Sequence, residues 1–88
     1  TVGIDEIIFD NVNIYPNPAT EELFIKLKES YQDLSVELIT DAGKIVRSKL
    51  ITREKQIKFN VSNLAAGTYF VKLSYTGSTK TIKVLIVK

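Results

Sequence analysis

Apolar and polar residues alternate with a period of two along most of this chain. Five runs show the pattern most clearly, and their apolar members are Leu23, Ile25 and Leu27; Leu34, Val36 and Leu38; Ile57, Phe59 and Val61; Tyr69, Val71, Leu73 and Tyr75; and Ile82, Val84 and Ile86. Because successive side chains of a β-strand point to opposite faces, each run predicts a strand that buries one face. No window of the sequence sustains apolar residues at helical spacing, so the pattern predicts an all-β chain.

Turn-forming residues separate the runs. Asp41-Ala42-Gly43 is predicted to join a strand that ends near residue 40 to one that starts at residue 44, and Thr76-Gly77-Ser78 to join the last two strands. Pro16 and Pro18 flank Asn17 and push the residue before each of them toward extended geometry, which predicts a stiff loop. The glycines that we assign to turns are Gly43, Gly67 and Gly77.

The number and spacing of the runs indicate the architecture. With an apolar stretch at Val12 and Ile14 and a candidate strand over residues 4–9, the count reaches about seven or eight short strands, the pattern of a β-sandwich. Gly67 leads into a strand with an early Tyr69, as in a tyrosine corner, where the hydroxyl bonds back to upstream backbone; a plain core tyrosine is the alternative. We therefore predict an immunoglobulin-like Greek-key β-sandwich of about seven short antiparallel strands.

The composition removes most catalytic chemistry. The 88 residues contain no Cys, His, Met or Trp, which excludes disulfides, thiolate nucleophiles and the usual imidazole base and metal ligand. Carboxylate groups remain at Asp5, Glu6 and Asp10, at Glu21 and Glu22, and at Asp33 and Glu37. Neighbours on a strand point to opposite faces, and the acidic residues lack the spacing of a calcium loop, so we predict no catalytic residue, no cofactor and no metal site.

Charge is distributed unevenly along the chain. Residues 1–43 carry two Lys against nine Asp and Glu, whereas residues 44–88 carry ten Lys and Arg against one Glu. One interpretation is a charged partner. The other is that strands from the two halves interleave, so that opposite charges meet across the sheets as weak surface pairs.

Four segments, taken in order, resemble a known family. They are Tyr15-Pro16-Asn17-Pro18-Ala19, Asp41-Ala42-Gly43-Lys44, the stretch from Leu64 to Leu73, and Lys83-Val84-Leu85-Ile86-Val87-Lys88. Each motif alone is weak, but the ordered set resembles the type A C-terminal sorting domain of type IX secretion cargo. The resemblance covers residues 11–88, so we expect residues 1–10 to be a linker or first strand that joins an upstream cargo. Because the chain lacks Met and begins at Thr1, we expect a piece of a longer protein that ends naturally at Lys88.

The resemblance implies a role in targeting rather than in chemistry. Such domains follow cargo that certain Gram-negative bacteria export, fold as immunoglobulin-like sandwiches, and are recognised by the type IX translocon of the outer membrane. A sortase-like peptidase then removes the domain in many cargoes and joins the cargo to a lipopolysaccharide anchor, while other cargoes are released. The expected location is the periplasm in transit, followed by the outer membrane, the cell surface or the medium. The longest apolar run has four residues, against the roughly 20 that a membrane-spanning helix needs, so we predict no span.

The last predicted strand is the candidate recognition site. We assign translocon recognition to Lys83, Val84, Leu85, Ile86, Val87 and Lys88. If the even-numbered apolar residues face the core, then Leu85 and Val87 face outward and can meet a receptor. The alternative is a strand that is packed on both faces, with Lys83 and Lys88 as edge-protecting charges. The family-motif residues with a predicted structural role are Pro16, Asn17, Pro18, Gly43, Gly67 and Tyr69.

A small carbohydrate-binding or adhesion module is the alternative function. Sandwiches often bind sugars through exposed aromatic side chains, and Phe24, Phe70 and Tyr31 are the candidate platform. Nucleic-acid binding is not predicted, because the basic residues are spread over several strands with few aromatics among them.

Overall fold

The computed structural model describes residues 12–28 and 32–88, which form seven β-strands and confirm the all-β prediction. The strands are β1 (Asn13–Tyr15), β2 (Glu22–Lys26), β3 (Gln32–Thr40), β4 (Ile45–Thr52), β5 (Gln56–Asn60), β6 (Gly67–Tyr75) and β7 (Ser78–Ile86). The candidate strand at residues 4–9, the linker at 1–10, the acidic residues within it and Tyr31 lie outside the described residues.

Two antiparallel sheets make up the sandwich. One has the strand order β1-β2-β5 and the other β4-β3-β6-β7. The chain passes from one sheet to the other between β2 and β3, between β4 and β5, and between β5 and β6. Such crossings are the Greek-key connections of an immunoglobulin-like sandwich, as predicted. The fourth strand pairs with β3, whereas the constant-type immunoglobulin arrangement places it in the other sheet.

The alternating apolar residues form the core between the sheets. Its buried members are Ala19, Leu23, Ile25, Leu27, Leu34, Val36, Leu38, Ile51, Ile57, Phe59, Val61, Tyr69, Val71, Leu73, Val84 and Ile86. Tyr75 and Ile82 are half-buried and pack against this cluster. The period of two therefore predicted correctly which face of each run turns inward.

Strands from the two halves of the chain interleave. β2 lies between β1 and β5, and β3 lies between β4 and β6, so β2 and β3 of the acidic half each have a neighbour from the basic half. Across β2 and β5, the Glu22 carboxylate and the Lys58 ammonium are 3.3 Å apart and both exposed. An exposed pair of this kind contributes about 0–1 kcal/mol to stability. The strand order therefore explains part of the uneven charge without requiring a charged partner molecule.

Two hairpin turns follow the predicted positions. Between β3 and β4, the Gly43 amide donates to the Thr40 carbonyl at 2.9 Å, and Gly43 has a φ of 91°. Between β6 and β7 the turn is shorter than predicted and contains only Thr76 and Gly77, with φ of 44° and 85°. Positive φ at both central residues is the type I′ geometry, whose twist matches the flanking strands.

Ser78 and Gly67 differ from the sequence prediction. Ser78 already belongs to β7 and is buried, because the two-residue turn ends before it. Gly67 is the first residue of β6, paired with Ile86 of β7, so its assignment to a turn is wrong. Open space surrounds the position that a Cβ at residue 67 would occupy.

Candidate recognition surface

The side chains of β7 alternate between the core and solvent. Val84 is fully buried and Ile86 is 1% exposed, whereas Leu85 is 39% exposed and Val87, just after the strand, 40% exposed. Lys83 is also exposed, on the same side of the strand as Leu85. The predicted outward apolar pair is therefore present, next to a lysine.

The outer edge of β7 is partly covered by the proline-containing loop. One edge of the strand pairs with β6 along its whole length. At the other edge, the Ala19 amide donates to the Leu85 carbonyl and the Val87 amide donates to the Ala19 carbonyl, both at 2.9 Å. The Leu85 amide donates to Oδ1 of Asn17 at 3.1 Å. Residues 17–19 thus hold the end of β7 in the manner of a short parallel strand.

Residues 16–19 of the proline-containing loop comprise one buried residue and three exposed residues. Ala19 is fully buried, while Pro16, Asn17 and Pro18 are exposed. The peptide bonds before both prolines are cis. The two family motifs that contain Asn17 and Leu85, which are far apart in the sequence, therefore form one structural unit.

Lys88 has a more specific role than edge protection. Its ammonium donates to the carbonyl of Val61 at 3.3 Å and to the carbonyl of Ser62 at 2.5 Å. These contacts tie the residue that follows Val87 to the segment after β5, in the opposite sheet. Lys88 therefore makes specific contacts in addition to any edge-protecting effect of its charge.

Tyr69 forms the predicted tyrosine corner. Its hydroxyl donates to the carbonyl of Ala65, four residues upstream, at 2.7 Å. Tyr69 is only 6% exposed, so its ring belongs to the core while its hydroxyl fixes the connection that crosses from β5 to β6. Tyr69 also pairs in register with Val84, so the tyrosine at this corner lies directly beside β7.

Apolar side chains line up across the outer face of the four-stranded sheet. Ile45 of β4 pairs with Ile39 of β3, and Ile39 pairs with Phe70 of β6. Phe70 pairs with Lys83 of β7, and Leu85 lies two residues further along the same face of β7. We call Ile45, Ile39, Phe70 and Leu85 the apolar row. Ile45 is 50% exposed, and Ile39 and Phe70 are half-buried.

Arg47 is a structural residue that sequence reasoning missed. It pairs with the core residue Leu38, so its side chain starts on the inward face of β4. From there Nε donates to the Asn60 carbonyl at 3.0 Å, and Nη2 donates to Oδ1 of Asn63 at 2.6 Å. The guanidinium thus connects the edges of the two sheets. A charged residue one step out of phase with the apolar pattern is the signal that could have identified it.

Comparison with known protein families identifies the family to which this chain belongs. The family described as "Secretion system C-terminal sorting domain" matches residues 13–88, nearly the whole chain. The chain belongs to that family. This confirms the resemblance to type IX secretion sorting domains, whose cargo is exported through the outer membrane. Membership also implies an interaction with the secretion system, and the family is non-catalytic.

One solved structure supports the fold of the sorting domain. It is PorZ, an essential bacterial surface component of the type IX secretion system of Porphyromonas gingivalis, matched with a TM-score of 0.81. The sequence identity is 19%, and the match covers 98% of this chain but 13% of PorZ. This likeness therefore supports the sandwich fold and carries no functional assignment. No curated protein matches the chain.

The two described members of the candidate sugar platform, Phe24 and Phe70, lie apart in the sorting domain. Phe24 lies on the outer face of the three-stranded sheet and stacks on Tyr15, with ring centroids 5.5 Å apart and planes at 21°. Phe70 lies on the outer face of the other sheet. The two faces point in opposite directions, so these aromatic rings cannot contact one ligand together.

The described carboxylates are separated as well. Glu22 pairs with Lys58, and Asp33 lies at an irregularity near the start of β3. Glu37 is four residues further along β3, about 13 Å away at the usual rise per residue. Within residues 12–28 and 32–88, no three acidic side chains cluster in a way that could hold a metal ion. These same ranges contain no helix long and apolar enough to cross a membrane.

Proposed function

We propose that the type IX translocon of the outer membrane recognises this domain in its folded form, and that the last strand, residues 83–88, carries that recognition. The observation that supports this most directly is the exposed apolar pair Leu85 and Val87, which alternates with the buried residues Val84 and Ile86. Val84 and Ile86 belong to the core, so the pair is presented in fixed positions only while the domain is folded.

The surroundings of the pair suit a docking surface. A partner that covers Leu85 and Val87 removes apolar area from water, which contributes about 25 cal/mol per Å². The backbone at this position is already held by Asn17 and Ala19, so little conformational entropy is lost on binding. Lys83 beside the pair keeps the exposed strand soluble and opposes edge-to-edge association.

Removal of the domain by a sortase-like peptidase is the second part of the proposal. A protease needs an extended and accessible segment, and folded β-structure does not supply one. The strands and turns from β1 onward have paired backbones, so we place the cut in or before residues 1–10, between domain and upstream cargo. The cargo passes through the periplasm and then stays on the cell surface or is released. The domain itself performs no catalysis.

Point variants test the recognition surface better than truncation. Deleting residues 83–88 would remove the core residues Val84 and Ile86 and the partners of Ala19, so loss of folding would explain any result. Leu85→Thr combined with Val87→Thr places a β-branched residue of high strand propensity at both positions and removes the apolar pair. Leu50→Thr is the matched control, because Leu50 is 63% exposed on the same sheet but far from β7.

The reporter carries residues 1–88 at its C-terminus in a bacterium with a type IX system. We expect the double variant to lower surface and secreted reporter about tenfold, the effect of roughly 1.4 kcal/mol in binding, while Leu50→Thr exports normally. Equal export by both variants would show that the last strand is not the recognition site. The mass of the exported reporter tests removal: a product that keeps the whole domain contradicts the peptidase proposal.

A further inference from the structure

We infer that the partner of this domain docks across the outer face of the four-stranded sheet, along the apolar row, and does not bind by adding a strand at the Leu85–Val87 end of β7. The inference rests on the proposed function and deepens it, since it extends the recognition surface from β7 to β6, β3 and β4. The partner is a protein surface with an apolar groove and a carboxylate beside it.

The apolar row is continuous across all four strands. Neighbouring strands are about 4.8 Å apart, so the row from Ile45 through Ile39 to Phe70 and on to β7 spans roughly 14 Å. Leu85 is diagonal to Phe70 across β6 and β7, a separation that an aromatic ring and a leucine bridge by contact. The exposed pair on β7 is therefore one end of a longer apolar strip.

The strip departs from the pattern of the rest of this face. The solvated face of an antiparallel sheet is ordinarily polar, and the other outward residues of β3, β6 and β7 follow that rule. They are Ser35, Glu37, Thr68, Lys72, Ser74, Thr79, Thr81 and Lys83. Apart from the row and Val87, Leu50 of β4 is the one exposed large apolar residue that the described strands place on this face, and it pairs with Ser35, so it has no apolar neighbour across the strand.

Covering of the β7 edge argues against strand addition. Strand addition at Leu85 and Val87 needs the outward Leu85 amide, Leu85 carbonyl and Val87 amide. Asn17 and Ala19 already occupy these three groups through hydrogen bonds of 2.9–3.1 Å. A partner that adds a strand there must first break those bonds. Side-chain docking on the outer face requires no such rearrangement.

The charges on this face define the partner's chemistry. Lys83 lies in line with the row and pairs with Phe70, so no carboxylate stands opposite it in register. Glu37 pairs in register with Lys72, and these two opposite charges offset one another. The face therefore carries a cation beside its apolar strip, and a matching partner places a carboxylate next to its groove.

Binding of the 88-residue chain to membranes tests the inference. The probes are outer membranes from a bacterium with a type IX system, outer membranes from the same bacterium without the translocon, and protein-free vesicles of the same lipids. Ile45→Thr removes the far end of the row, and Leu50→Thr on the same strand is the control. Both residues are half-exposed or more, so neither change opens a cavity in the core. Lys83→Glu is a second variant outside the core.

We expect the chain to bind only membranes that contain the translocon. Compared with the parent chain, Ile45→Thr and Lys83→Glu are expected to bind these membranes about five- to tenfold more weakly, and Leu50→Thr is expected to bind them equally well. Equal binding by Ile45→Thr and Leu50→Thr overturns the inference. Binding to protein-free vesicles identifies a lipid as the occupant and overturns it also. So does a dimer in sedimentation equilibrium that Ile45→Thr dissociates, because the occupant is then a second copy.

The same reporter assay separates this inference from the proposed function. If the variant of Leu85 and Val87 blocks export while Ile45→Thr exports normally, the last strand is recognised without the rest of the row, and the inference alone is wrong. If the double variant also exports normally, the proposed function itself fails.

Discussion

Tyr69 illustrates how one side chain serves two parts of this fold. Its ring is buried among core residues, and its hydroxyl reaches the Ala65 carbonyl at 2.7 Å. Tyrosine is suited to this position because its apolar ring and its hydroxyl lie at opposite ends of one rigid side chain. The connection from β5 to β6 is thereby fixed at the point where the chain changes sheets.

Replacement of Tyr69 with Phe removes only the hydroxyl. A hydrogen bond of this kind contributes about 1 kcal/mol, which lowers the melting temperature of a domain of this size by roughly 4–8 °C. Tyr15→Phe is the matched control, since Tyr15 is 41% exposed and stacks on Phe24 through its ring. Thermal unfolding followed by circular dichroism gives both values. Equal melting temperatures for the two variants would mean that the corner contributes no stability.

At the scale of elements, the proline loop and β7 act together. Residues 17–19 satisfy the backbone of β7 at its outer edge, where unpaired groups invite association with other chains. Asn17 and Leu85 are 68 residues apart in sequence, so no local pattern indicates their contact. The rigid loop and the exposed strand are thus parts of one surface.

Asn17→Ala should loosen this contact without disturbing the core. Loss of the Oδ1 acceptor is expected to speed hydrogen exchange of the Leu85 amide and to lower the free energy of unfolding by about 1 kcal/mol. Asn17→Asp keeps a side-chain oxygen at the same position and is expected to stay close to the parent chain in both measurements. If the Leu85 amide exchanges at the same rate in Asn17→Ala as in the parent, the Asn17 side chain does not hold β7.

The elements differ in how well the sequence predicts them. β2, β3, β5, β6 and β7 each contain a run of alternating buried and less buried residues, because each presents one face to the core and the other to solvent. β4 was located only by the turn before it. It is an edge strand with an irregularity between its pairs at Arg47 and Ile45, and Ile51 is its only fully buried residue. The inward position of Arg47 also interrupts the alternation of apolar and polar residues in this edge strand.

Contacts between distant segments account for what the sequence did not predict of the candidate site. The outward direction of Leu85 and Val87 follows from the period of two and was predicted. The sequence does not predict the apolar row, because the row depends on the register between four strands, which the pattern within a single strand does not specify. The role of Lys88 likewise depends on where the chain after β5 lies relative to β7.

At the scale of the whole molecule, the chain is a sorting domain with one core, and its described residues include no group of three acidic side chains that could hold a metal ion. Its distinctive features are on the surface: the apolar row, Lys83 beside it, and the covered edge of β7. All three depend on the sandwich being folded, since they combine residues from four strands and from the proline-containing loop before β2. The information for sorting is therefore expected to lie in the tertiary structure.

Export of a reporter joined to residues 1–88 tests the central claim most directly. The reporter is compared in a bacterium with a type IX system and in the same bacterium without the translocon, with periplasmic, surface and secreted fractions measured separately. We predict surface or secreted reporter only when the translocon is present, and periplasmic reporter when it is absent. The claim is contradicted if the reporter stays in the periplasm of both strains, or if both strains export it equally.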